Sequence, residues 1–338
     1  MVNAPVQIQS DAALSPAQKL WDMTSGDMAS VDALILERMQ SPVGLIPDLG
    51  QHLVGAGGKR LRPLLTIAAA KLCGYEGTGH HKLAAAVEFI HSATLLHDDV
   101  VDESELRRGK KPANLIWGNS ASILVGDFLF ARAFNLMVET DNIVALGILS
   151  NASSVIAEGE VQQLAALRKL SMSEDEYMSV IKAKTAALFA AATEVAPVLA
   201  GRPIEERTAL REYGLNLGLA FQLIDDALDY GGFESALGKS VGDDFREGKM
   251  TLPVIRAVDA ANDSEAAFWR RVIVEYKQTD VDLETAVSYL RKTGALDATM
   301  DMAKDLSRKA QSALDVFPKT PLRDTLQELA AFIVTRTS

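Results

Sequence analysis

The chain has 338 residues, 48% hydrophobic and 23% charged, which is enough apolar material for a sizeable core. Its net charge of -11, with no long basic run, argues against nucleic acid as a partner and gives anionic membrane surfaces little hold. The single cysteine, Cys73, permits neither an internal disulfide nor a cysteine metal cluster, and it fits a small buried hydrophobe in a reducing compartment.

Residues Met1 to Ser15 are polar, small and proline-containing, and are expected to be disordered, with the folded domain running over 16–338. No basic segment leads into an apolar core there; the first basic residue is Lys19. No run approaches 18 apolar residues, so a cytoplasmic protein with at most peripheral membrane contact is expected. Abundant alanine and leucine, with little β-branched alternation, predict helices at 16–39, 60–74, 80–104, 119–139, 142–169, 174–200 and 204–231. Further helices are predicted at 251–262, 264–277, 282–293, 295–316 and 321–336.

Several of these boundaries have a chemical cause. Ser173 and Glu176 form a capping box. Pro203 and Pro321 sit where helices should begin, and Gly74, Gly201 and Gly294 where they should end. Residues 55–58 read as a loop, and 231–249, rich in glycine and charge, as a mobile loop or lid. With no composition shift and no short-period repeat, one all-α domain is the simplest account.

Two acidic patterns carry the chemistry. Asp98-Asp99-Val100-Val101-Asp102 and Asp225-Asp226-Ala227-Leu228-Asp229 are both DDxxD, and each follows an apolar run. On a helix, Asp98 and Asp102 share a face one turn apart, as do Asp225 and Asp229. Carboxylates in apolar surroundings are costly unless a cation meets them. Mg²⁺, which prefers carboxylate oxygen and accepts substrate phosphate, is the expected ion. A lone DDxxD is commonly a solvated helix face; two copies in apolar settings are not read that way. The same faces continue to His91 and Gln222.

Basic residues accompany these walls: Lys59, Arg60 and Arg62 after Gly57-Gly58, Arg107 and Arg108 after the first motif, then Lys184-Thr185, Lys239 and Lys249. Arginine forks and glycine-rich turns suit phosphate oxygens. That much positive charge suits two diphosphate-bearing substrates side by side.

The segments GGKRLRP (57–63), HSATLLHDDVVDESELRRGK (91–110), Lys184-Thr185, FQLIDDALDY (221–230) and Gly238-Lys239, in this order and spacing, resemble the trans-polyprenyl diphosphate synthases over roughly residues 20–336. The resemblance implies a single bundle of antiparallel helices around a deep central cavity, in a homodimer. It implies Mg²⁺, three ions with diphosphate bound, on Asp98, Asp102 and Asp225, with Asp226 and Asp229 supporting. Arg107, Lys184, Thr185, Gln222, Lys239 and Lys249 would hold an allylic diphosphate of farnesyl or geranyl type. Lys59, Arg62, His91 and Arg108 would hold isopentenyl diphosphate. Asp98, Asp102, Asp225, Lys184 and Arg107 would carry catalysis, which lengthens the allylic chain by five carbons through a head-to-tail condensation.

Within that resemblance, the residues one turn before Asp98 set product length. Ala93 and Thr94 are small, so a long tail would pass towards Phe89 and Ile90 or Phe128 and Phe130. The wording around the motifs is most similar to octaprenyl and decaprenyl synthases, so a C40–C50 product for the ubiquinone side chain is expected. A shorter-chain synthase of geranylgeranyl type, a class I cyclase and a non-catalytic partner subunit are the alternatives. A second DDxxD where a cyclase carries a different triad, and the intact aspartates, weigh against the last two.

Overall fold

The computed structural model describes residues 14–55, 60–104, 106–107, 110–167, 169–231 and 242–335. The chain folds as α1 Pro16–Arg38, α2 Leu45–Gly55, α3 Leu61–Leu72, α4 Gly79–Val101, α5 Ala113–Trp117, α6 Asn119–Val138, α7 Ile143–Ala166 and α8 Glu174–Ile181. A π-helical segment, Lys182–Ala186, leads directly into α9 Ala187–Leu199, followed by α10 Ile204–Leu228. Then come α11 Asp243–Arg246, α12 Leu252–Asp259, α13 Asp263–Trp269 with a second π segment Arg270–Val274, α14 Asp282–Lys292, α15 Ala295–Ala313 and α16 Pro321–Thr335. Among the described residues there is no strand, only an isolated bridge between Arg107 and Lys110.

Each predicted helix is present, and its buried residues follow helical spacing. In α1 they are Leu20, Thr24, Met28, Val31 and Ile35, steps of three and four that keep one face inward. Ser15 caps α1 by accepting the Gln18 amide at 3.2 Å, so the expected disordered stretch ends sooner than Ser15; residues 1–13 lie outside the described residues. The Ser173–Glu176 capping box is present at α8. Gly74, Gly201 and Gly294 all have positive φ at helix ends, the conformation glycine adopts without steric cost. Pro203 is the N-cap of α10 rather than its first helical residue.

The short helices α2, α5 and α11 were not predicted. Their lengths give too few turns for apolar periodicity to emerge. Of the expected mobile stretch 231–249, residues 232–241 lie outside the described residues, while 242–249 hold α11 and a turn onto the second motif. Helix α6 departs from the expectation that no segment is long and apolar enough to cross a bilayer: Asn119–Val138 meets that test by length and composition, with 44% of the window buried. It lies along α4 and carries Asp127 and Arg132.

Two clusters of buried side chains make up the interior. One joins α1, α3, α4, α6, α7 and α9 to the first half of α10; the other joins its second half to α8, α12, α13, α14 and α15. Helix α10 is therefore shared, and its second motif emerges beside the first one.

Candidate active site

Both motifs end their helices. Asp102 is the C-cap of α4 and Asp229 that of α10, and their amides donate to the carbonyls of Asp98 (2.8 Å) and Asp225 (3.1 Å). The helical turn thus reaches the last aspartate of each motif, as the spacing requires. Between the two walls lies a cavity of about 420 Å³. Asp98, Asp102 and Asp225 line it, together with Arg62, His91, Thr94, Arg107, Lys184, Thr185, Gln222 and Lys249. The fold thereby gathers side chains as far apart in sequence as Arg62 and Thr251 around one space. Lys59, Arg108 and Lys239 lie outside the described residues. Ala93 is fully buried and does not border this cavity; its neighbour Thr94 does.

Two lysines reach across the cavity. Lys184 Nζ lies 2.8 Å from Glu160 Oε2 on α7 and 3.7 Å from Asp98 Oδ2 on α4. Lys249 Nζ lies 3.4 Å from Asp102 Oδ2 and pairs with Glu247. Burial alone would lower the Lys249 ammonium, but Asp102, Asp244 and Glu247 outweigh it and hold that group above its ordinary range. Arg62 stacks its guanidinium 4.4 Å from the centre of the Phe189 ring, which faces Phe221.

The three aspartates of each motif have different duties. Burial pushes Asp98 up to about 6; Lys184 opposes this, while Glu160 and Asp102 reinforce it. Asp99 turns away into the protein, where its carboxylate accepts from Arg107 Nε at 2.7 Å. Arg107 is thus anchored to the first motif at the rim rather than extended across the cavity. Asp226 is likewise buried and accepts from Tyr177 and Gln222; burial pushes it up to about 8, with Asp244 and Asp225 acting in the same direction. Asp229 does not share the metal face expected from its spacing. Its two oxygens accept the amides of Asp243 (3.2 Å) and Asp244 (3.0 Å), capping α11. Helical spacing predicts a shared face, but the unpaired amides at the start of α11 draw this carboxylate to themselves.

Sequence reading overlooked Glu160, Tyr177, Asp243, Asp244 and Glu247, all of which line the cavity. Asp243-Asp244, acidic residues after a glycine and close behind the second motif, offered a signal, but it is one that surface loops share. The aspartates expected to hold a metal offer only carboxylate oxygens, and among the described residues acidic groups outnumber cationic ones around the cavity. That donor set suits a hard divalent cation and not a thiolate- or imidazole-preferring one.

The polyprenyl synthetase family model matches residues 44–290. The octaprenyl diphosphate synthase of Escherichia coli (strain K12) is 46% identical over 319 residues, 94% of this chain and 98% of that protein. A solved decaprenyl diphosphate synthase from Rhodobacter capsulatus matches with a TM-score of 0.92 at 54% identity, covering 96% of this chain and 100% of that one. A polyprenyl synthase from Caulobacter crescentus CB15, complexed with calcium and isoprenyl diphosphate, matches with a TM-score of 0.92 at 56% identity, over 97% and 100% of the two chains.

Proposed function

The chain belongs to the polyprenyl synthetase family, and from that premise we propose that it condenses isopentenyl diphosphate with an allylic diphosphate into a long all-trans polyprenyl diphosphate of C40–C50. The observation that carries this reading is the convergence of two DDxxD helices on one cavity, with Lys184 at Asp98 and Lys249 at Asp102. Relatives named for octaprenyl and decaprenyl products support the length. The calcium and isoprenyl diphosphate bound to a relative support a divalent cation and a prenyl diphosphate here.

Asp98, Asp102 and Asp225 would hold Mg²⁺, three ions once diphosphate is present. Bound there, magnesium supplies Lewis-acid stabilisation of a diphosphate leaving group. Lys184 and Lys249, with Arg107, Thr185, Gln222 and Lys239, would receive the allylic diphosphate and balance the charge that grows as its C–O bond breaks. Lys59, Arg62, His91 and Arg108 would hold isopentenyl diphosphate with its double bond towards the allylic carbon. Attack by that double bond forms the new C–C bond. Loss of a proton, taken by the departing diphosphate, leaves an allylic diphosphate five carbons longer.

The growing tail would leave the cavity past Thr94 and open a path by the buried Ala93 towards Phe89 and Ile90, and a bulky side chain at either position would stop it. A product of this length suits the ubiquinone side chain. The sides of α6 and α7 that leave Leu124, Val138, Ile143 and Val161 exposed favour a homodimer that covers them. The reading is tested by Asp98→Ala and by a chelator, each assayed for incorporation of isopentenyl diphosphate. Each should cut turnover on the order of a hundredfold or more, the scale of losing a charge-stabilising group. Full activity in a chelator, or a variant within about tenfold of wild type, contradicts it.

A further inference from the structure

Tyr177 lines the cavity and meets Asp226, the buried aspartate of the second motif. Its hydroxyl donates to Asp226 Oδ2 at 2.5 Å, and both residues are only 3% exposed. The chain of contacts then runs back to the cavity. Asp226 Oδ1 accepts from Gln222 Nε2 at 2.7 Å, and Gln222 Oε1 accepts from Thr185 Oγ1 at 2.8 Å.

The Tyr177 hydroxyl holds Asp226 by one oxygen, which keeps the other oxygen of the carboxyl turned to Gln222. Asp226 receives the Gln222 amide nitrogen on its other oxygen, and the Gln222 carbonyl is thereby turned to Thr185. The two ends of a glutamine amide are nearly the same size, so hydrogen bonding and not packing chooses between its two orientations. A purely structural tyrosine–aspartate contact would end at Asp226. This one continues to two side chains that face the cavity and joins α8, the π segment and α10.

Resting on the functional reading given above, we propose that Tyr177 is a positioning residue: its hydroxyl holds Asp226, and through it orients Gln222 and Thr185 for the allylic diphosphate. Tyr177→Phe removes the hydroxyl and keeps the ring. Two readouts apply to the full-length protein: KM for each substrate, and calorimetric affinity for inorganic diphosphate with Mg²⁺, which needs no turnover. A supporting result is a rise of roughly tenfold in the KM for the allylic substrate and a matching loss of Mg–diphosphate affinity, with the KM for isopentenyl diphosphate within about twofold, the scale of losing a residue that orients a ligand. In a Gln222→Ala background the same change should add little, because both act on one path.

A lowered unfolding temperature with both KM values and diphosphate affinity unchanged overturns the proposal, as do fully additive effects in the double variant. Asp226→Asn, whose amide can turn either way, is the second probe should Tyr177→Phe not fold; an unchanged allylic KM and diphosphate affinity there is equally contrary. A wild-type protein that binds Mg–diphosphate but makes no prenyl product refutes the functional reading alone, and the affinity comparison still decides the role of Tyr177. A wild-type protein that does not bind Mg–diphosphate overturns both.

Discussion

Asp98 is held in two opposed ways. Burial pushes its carboxyl up to about 6, and Lys184 pulls it down without prevailing. A cation at this position must displace the proton, so metal affinity should rise with pH across that value. The Mg²⁺ concentration for half-maximal turnover is expected to fall as pH rises from about 5.5 to 7.5; an activation constant flat over that range contradicts the role of Asp98. The same shift has a stability consequence of the opposite sign to a salt-bridged aspartate. A carboxyl raised from 3.8 to about 6 binds more protons folded than unfolded, so the metal-free protein should lose stability as pH climbs from about 4 to 6. Added Mg²⁺ should recover it. Asp27 and Asp282, held low, contribute stability that is already complete above pH 4. At this scale the sequence was legible where spacing speaks: Asp98, Asp102 and Asp225 reach the cavity as the pattern implies. It put Asp229 on the face of Asp225 and gave no sign of the Arg107–Asp99 pair, because capping an adjacent helix and pairing with a buried neighbour depend on the path of the chain after each motif.

The π segment Lys182–Ala186 interrupts what the sequence presents as one helix over 174–200. Alanine-rich apolar patterning has the same look on either side of an extra residue in a turn, so periodicity does not reveal the slip. Its surroundings do. Gly159 on α7 faces Ala183, and Gly218 on α10 faces Ala186, where an added Cβ would stand 2.7 Å from Ala183 Cβ and 2.8 Å from Ala186 Cα. Two glycines thus let α7 and α10 close on the segment that presents Lys184 to Asp98 and Thr185 to Gln222. Gly218→Ala should force this packing apart, at a cost of about 1–3 kcal/mol for overpacking, and weaken the Thr185–Gln222 bond. Chemical unfolding and turnover measured together check it; a variant with wild-type values for both would show that close approach at Gly218 is not required. Gln222 lies one helical turn past Gly218 in the sequence, and the pattern made them partners on one face; that the face meets a π segment was not readable.

For the molecule as a whole, the charge and the fold agree. An acidic chain concentrates carboxylates around one cavity, where bound cations would offset them, and leaves apolar side chains exposed on α6 and α7. The helical class and the order of the long helices followed from composition and periodicity. The sharing of α10 between two buried clusters did not, because long-range packing leaves no local signature. The central claim is the elongation of a prenyl diphosphate to C40–C50. Its most direct test is to incubate the protein with farnesyl diphosphate, labelled isopentenyl diphosphate and Mg²⁺ and to measure product carbon number, with a chelator control. A C40 or C50 product that disappears with the chelator is the expected result. A product that stops at C15–C20, or none at all, contradicts the account.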